Sequence, residues 1–240
     1  MTKIIMVHGY NHDPDDPRHT ADRLGGTYPI WRDMLQGNDL EPLHWYSGRT
    51  GISGRLTAIR NGFWRNTYAY AYEVLAKKAG EKLEQLAMID ASRNPQRSSV
   101  ICHSLGSRVA LYAMAKHPNC FDRILFLNAA ETVDVATPII EKNDKTKILN
   151  VCVESDDVLA MMGSWFEPLP GRHDCMGQAG LKSSASNFEQ VFLDDPTEQE
   201  KYWLENEWAL SGNNPESIGD HHFSYLFRGN WPLYRDFFAS

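Results

Sequence analysis

Cysteine is scarce in this sequence, clusters of basic residues are missing, and no apolar segment is long. Four cysteines in 240 residues, Cys102, Cys120, Cys152 and Cys175, are too few and too widely spaced for a small disulfide scaffold, and no C-x-x-C pair suggests a zinc site. They are expected to be free thiols packed in the core. The first apolar run, in MTKIIMVHGY, stops at a His-Gly turn after a few residues. That is far short of a signal peptide's apolar segment or a membrane span, so a cytoplasmic protein with no membrane partner is predicted. With 24 Lys and Arg against 31 Asp and Glu, the formal net charge of −7 disfavours binding to nucleic-acid phosphates. There is no internal repeat and no low-complexity tract.

What is present describes an ordinary globular chain: 42% hydrophobic, 23% charged and 11% aromatic residues. The length suits one domain over residues 1–240, with residues 194–220 as a cap-like insertion. Short continuous apolar runs read as buried strands at Lys3 to Val7, Leu40 to Tyr46, Ser98 to Cys102, Arg123 to Asn128 and Lys147 to Val153, with a weaker one at Asn187 to Leu193. Helical patterns alternate with them around Pro29 to Gln36, from Phe63 to Ile89, and from Leu105 to His117. A further short helix is expected between the strands at Arg123 and Lys147. Alternation of this kind predicts the α/β class: a doubly wound, mostly parallel sheet with helices on both faces. The stretch from Gly163 onward, rich in Trp, Gly and Pro, gives the weakest signals.

One stretch carries chemistry. In Ile101-Cys102-His103-Ser104-Leu105-Gly106-Ser107 an apolar strand passes into a helix within about three residues, which forces the corner residue into a strained conformation. Gly106 and Ser107 relieve the crowding, and Cys102 is still compact. Such a corner lifts the Ser104 hydroxyl at the sheet's carboxyl edge, facing the first N–H groups of the helix, including that of Leu105.

This stretch resembles the nucleophile elbow of the α/β-hydrolases, and Val7-His8-Gly9-Tyr10 resembles that superfamily's oxyanion turn at the end of an early strand. The resemblance spans about residues 3 to 225. It implies the α/β-hydrolase fold with a reduced N-terminal sheet, and a serine esterase or lipase-like activity that needs no cofactor. Its order of Ser, then acid, then His implies Ser104 as nucleophile, Asp156 as acid with Asp157 as alternate, and His222 as base with His221 as alternate. Glu131 and Asp134 are reserve acids. The N–H groups of Tyr10 and Leu105 would form the oxyanion hole. Asn11, His103 and Trp165 are candidates for binding substrate, with His103 and His8 shaping the turns rather than serving as base.

The reaction expected is hydrolysis of a carboxylic ester or related acyl bond of a small molecule through an acyl-enzyme. An acyltransferase or thioesterase using the same triad, or a non-catalytic binding protein of the same fold, are the competing expectations. The loop from His12 to His19 carries many potential ligand atoms, but its spacing matches neither an EF-hand nor a zinc pattern, so no metal site is assigned. Substrate identity and oligomeric state are left open by the sequence.

Overall fold

The computed structural model describes residues 2–10, 27–47, 56, 58–60, 62, 67–93, 96–156, 158–159, 174–183, 185–193, 197, 199–200, 202–203 and 223–240. Six strands form one sheet in the order β2-β1-β3-β4-β5-β6. They are β1 (Lys3–Val7), β2 (Asp39–Pro42), β3 (Ser99–His103), β4 (Arg123–Leu127), β5 (Lys147–Cys152) and β6 (Phe188–Phe192). Every pairing is parallel. The sheet expected to be mostly parallel is therefore entirely so among the described residues. The second strand is shorter than predicted, because the chain from Leu43 to Ser47 leaves the sheet although Leu43 and Trp45 stay buried.

The helices are α1 (Thr27–Met34), α2 (Thr67–Tyr70) continuing through a π-helical stretch (Ala71–Leu75) into α3 (Ala76–Arg93), α4 (Gly106–Lys116), α5 (Val133–Lys142), the short α6 (Met176–Ala179) and α7 (Trp231–Ala239). Successive strand side chains point to opposite faces, and the core divides accordingly. Ile5, Val7, Val100, Cys102, Ile124 and Phe126 pack with α3, α4 and α5 on one face. Ile4, Met6, Ile101, Leu125, Leu127, Leu149 and Val151 pack with α1 and α7 on the other. Both faces are covered, which is why these strands read as continuous apolar runs. The C-terminal helix α7 escaped prediction, since WPLYRDFF follows two short 3-10 turns (Ser224–Leu226 and Arg228–Asn230) rather than an extended periodic stretch.

All four cysteines are free and buried, as expected. No described helix is long and apolar enough to cross a membrane. Most of residues 194–220 lie outside the described residues. Of those that are described, Trp203 meets Trp231 of α7 edge-on at 5.8 Å.

The strand order also locates the crevice. From β1 the chain goes to β2 on one side, then returns to β3 on the other, so helices leave β1 and β3 toward opposite faces of the sheet. In open parallel sheets this reversal opens a cleft at the carboxyl ends of the two strands. His8-Gly9-Tyr10 follows β1 there, and Ser104 follows β3.

Candidate active site at the carboxyl edge of the sheet

Ser104 has φ +50, one of three non-glycine residues with positive φ among those described. The strain expected of an elbow is thus present, and the surrounding backbone holds it. The Ser104 N–H donates to Leu127 O (3.1 Å). Its carbonyl accepts from the N–H groups of Ser107 (3.0 Å) and Ala130 (3.1 Å) and from the Ser107 hydroxyl (2.7 Å). Gly106 is required by close approach: a Cβ there would stand 2.5 Å from Val7 O and 2.7 Å from His8 O. The helix α4 therefore starts in contact with the turn after β1. The elbow lies at the carboxyl edge as predicted, but it is not open to solvent. Ser104 is 3% exposed, and a Cβ on Gly9 would lie 3.0 Å from the Ser104 Cβ.

The turn after β1 is ordered by His8, whose Nδ1 faces Gly9 O at 2.7 Å and whose Nε2 faces Trp45 O at 3.2 Å. The ring stacks on Trp45 with centroids 5.1 Å apart. Both ring nitrogens face carbonyl oxygens, a pairing that a neutral imidazole satisfies only once. In a trans peptide the C=O and N–H point in opposite directions, so the Gly9 carbonyl held toward His8 turns the Tyr10 N–H away from that ring. The Tyr10 hydroxyl donates to Thr67 Oγ1 (2.8 Å), and its ring meets Tyr68 edge-on at 5.4 Å. Leu105 is buried and stands immediately before α4. The N–H groups that begin a helix lack intrahelical partners.

Asp156 follows β5 and is fully buried, at 0% exposure. Its Oδ1 accepts the Leu159 N–H (2.9 Å), and its Oδ2 accepts from Asn128 Nδ2 (2.9 Å). Strand β4 lies between β3 and β5. Its exit therefore touches both groups: Leu127 holds the Ser104 N–H and Asn128 holds the Asp156 carboxylate.

His103 brings a further segment to the elbow. Its ring lies 4.7 Å from that of Tyr225 and 5.2 Å from that of Phe223, centroid to centroid. The residue immediately after the His221-His222 pair thus packs beside the residue immediately before Ser104. His221, His222, Asp157, Asn11 and Trp165 lie outside the described residues, as does the His12 to His19 loop.

Of the reserve acids, Glu131 is also fully buried, but its neighbours are cationic and phenolic. Arg108 of α4 pairs with it at 2.7 Å, the Tyr72 hydroxyl donates to it, and the Thr132 N–H donates at 2.8 Å. The Arg108 guanidinium lies 4.0 Å from the Tyr72 ring centroid. Burial alone would pull the Arg108 pKa down, but Glu131 and Tyr72 outweigh it and hold the guanidinium above its ordinary value. Burial, reinforced by Glu131, raises the Tyr72 phenol, so it stays protonated as a donor. Asp134 lies in the first turn of α5.

The thiols are poor nucleophiles here. Burial pushes Cys102 well above the ordinary thiol range, and pushes Cys120, Cys152 and Cys175 up to about 12. Among the described residues no group of three or more His, Cys, Asp or Glu is placed to hold a metal ion.

Sequence reasoning missed Asn128, Arg108 and Tyr72. An asparagine closing an apolar strand and an arginine one turn into an otherwise apolar helix were the available signals.

The parallel sheet, the crevice between β1 and β3 and the strained serine between β3 and α4 together define the α/β-hydrolase fold. No protein-family model matches the chain, and no curated protein does. Among solved structures it is similar to a dienelactone hydrolase from Anabaena variabilis ATCC 29413, at 12% identity, with 100% of this chain and 86% of that chain covered and a TM-score of 0.49. A CIB-like hydrolase from Thermoplasma acidophilum matches at 14% identity over 98% of this chain and 86% of that chain, with a TM-score of 0.46. The esterase PE8 matches at 17% identity over 87% and 90% respectively, with a TM-score of 0.42. The fold assignment rests on the strand order and the elbow themselves.

Proposed function

We propose that this protein is a serine hydrolase that cleaves a carboxylic ester, or a related acyl bond of a small molecule, through an acyl-enzyme on Ser104. The observation that carries the reading is Ser104 itself, at φ +50 between β3 and α4 and pinned through both its N–H and its carbonyl. A turn that needs the left-handed region is met at less cost by glycine or asparagine than by serine, whereas a serine nucleophile aimed from a strand end requires it.

In this reading the Ser104 Oγ attacks the substrate carbonyl carbon while the imidazole of His222 takes the hydroxyl proton. The tetrahedral oxyanion is stabilised by the N–H groups of Tyr10 and Leu105. Collapse expels the alcohol, which receives the proton from His222. Water, deprotonated by the same imidazole, then releases the acid and regenerates Ser104. Asp156 orients the imidazole and stabilises its charged form. Its full burial and its fixed carboxylate support the choice of Asp156. The packing of Phe223 against His103 supports a base from the His221-His222 pair.

The test is turnover of p-nitrophenyl butyrate and labelling by a fluorophosphonate probe. Wild type is expected to do both, and Ser104→Ala neither. His222→Ala is expected to lose turnover while His221→Ala retains it. Full-rate labelling of Ser104→Ala overturns the assignment.

A further inference from the structure

We infer that Asn128 is a positioning residue that sets the Asp156 carboxylate for the triad, an inference that rests on the serine-hydrolase reading above. Asn128 is the first residue beyond β4, 0% exposed, with φ +45. Its N–H donates to Val151 O (3.1 Å), which anchors its backbone to β5. Asparagine tolerates the left-handed region better than most side chains, and that conformation carries its amide across to Asp156 Oδ2 at 2.9 Å. The opposite oxygen, Oδ1, is held by the Leu159 N–H at 2.9 Å. These two donors, on opposite oxygens, hold the plane of the carboxylate and so set the directions in which it can accept from an imidazole. An ionised carboxylate oxygen accepts more than one hydrogen bond, so the Asn128 amide leaves Oδ2 capable of accepting from an imidazole.

The turn is also closed against relaxation. A Cβ on Gly177 would stand 2.1 Å from the Ala129 nitrogen and 2.4 Å from the Asn128 carbonyl carbon, so α6 is pressed onto this backbone. Gly177 exchanges hydrogen bonds with both strands' exits, its N–H donating to Ala129 O (2.9 Å) and its carbonyl accepting from the Val153 N–H (2.9 Å). Because the Leu127 carbonyl holds the Ser104 N–H, two consecutive residues fix the nucleophile and the acid in one frame. A neutral amide donor suits this place. It stabilises the carboxylate without adding charge, whereas an arginine there would offset the charge that the acid presents to the imidazolium.

The experiment measures kcat, KM and the pH profile of kcat/KM with p-nitrophenyl butyrate for wild type, Asn128→Gly and Asn128→Asp, with rates expressed per site titrated by the fluorophosphonate. Asn128→Gly keeps the left-handed backbone but removes the amide. Its kcat is expected to fall about tenfold to a hundredfold with KM within about twofold, the loss typical of a hydrogen bond to a charged group. Asn128→Asp keeps the shape but adds a carboxylate beside Asp156. Two carboxyls at hydrogen-bond distance do not both stay ionised, so the pair shares one proton and keeps the donor at low pH. The kcat/KM is then expected to fall as the pH rises through the pair's raised titration, a limb absent from wild type. Of the neighbouring ionisable groups, Glu154 is exposed, and Cys175, held at about 12 first by burial and then by Glu131, Asp156 and Asp174, stays neutral across the range measured.

A purely structural role lowers the titrated fraction and Tm, but leaves kcat per site and the form of the pH profile as in wild type. That result in both variants overturns the inference while the hydrolase reading stands. A wild type that neither labels nor turns over the ester overturns both.

Discussion

The two edges of the sheet both bury polar side chains, but they use them differently. At the amino edge the partners are mainly backbone. Asn143 accepts the Asn119 N–H (2.7 Å) and donates to Ile139 O (2.7 Å), Thr146 donates to Phe121 O (3.0 Å), and Asn187 donates to the carbonyls of Asn143 and Thr146. A cavity of about 560 Å³, lined in part by Asp144, Lys147, Asn187, Asp236 and Phe237, opens beside this edge. Its charged walls carry both signs. At the carboxyl edge side chains bond to buried carboxylates instead: Asn128 to Asp156, and Arg108 and Tyr72 to Glu131. Groups that satisfy turns need no charge. Buried carboxylates cost desolvation unless they are paired or hydrogen-bonded: Glu131 is paired with an arginine, whereas the Asp156 oxygens accept from a side-chain amide and a backbone N–H. That contrast is the reason the proposed mechanism uses Asp156 rather than Glu131 as its acid.

The sharpest way to break this comparison is Asp156→Asn. Turnover of p-nitrophenyl butyrate is expected to fall on the order of 10⁴-fold, with cooperative unfolding retained. More than a tenth of wild-type activity would contradict the assigned role.

Next in size is Glu131→Gln, which leaves Arg108 only its longer contact with Glu73 at 4.0 Å. A loss of about 2 kcal/mol in urea unfolding is expected, because a half-buried guanidinium loses its close, charge-assisted hydrogen bond. Replacing Glu131 and Arg108 together by methionines should recover most of that stability. If the single variant unfolds like wild type, the pair is not what holds α4 to the exit of β4.

At the amino edge Asn143→Ala removes the partner of the Asn119 N–H and of the Ile139 carbonyl. We expect about 1–2 kcal/mol less stability and unchanged kcat. A drop in kcat per titrated site would erase the distinction between the two edges.

The smallest effect belongs to the Lys3–Asp90 pair (2.6 Å), which ties β1 to α3 with help from a Ser98 hydroxyl bond at 2.7 Å. Burial works to raise the Asp90 pKa, but the hydrogen bonds from Lys3 and Ser98 prevail and hold it below the ordinary carboxylate value. A depressed folded-state value means that this contribution is present at neutral pH and is lost as pH falls below about 4 through the folded value. Asp90→Asn should cost about 1 kcal/mol or less at pH 7, and should flatten the acid side of the stability profile. A variant whose profile retains the full wild-type slope would show that the pair contributes nothing.

The layout of the fold was legible because strands covered on both faces leave continuous apolar runs, as in Ile101 and Cys102 or Ile124 to Leu127. The elbow was legible because its steric demands are local: Gly106 two residues after Ser104 is a requirement written within a few positions. The bonding of Asn128 to Asp156 was not legible, since the two are separated by α5 and β5 and meet only through the register of β4 on β5. Nor was the pairing of Tyr72 with Glu131, which depends on how the π-helical stretch turns the helix toward the exit of β4.

The sequence by itself determined the alternation of strands and helices and the position of the strained serine, because backbone sterics and hydrophobic periodicity act over short stretches. Only the tertiary structure decided which buried carboxylate meets an arginine and which meets an amide and a backbone N–H, and that Ser104 packs closely against Gly9. Those outcomes depend on strand register and on the approach of distant backbones, such as Gly106 on Val7 and Gly177 on Asn128, which no local pattern of residues encodes.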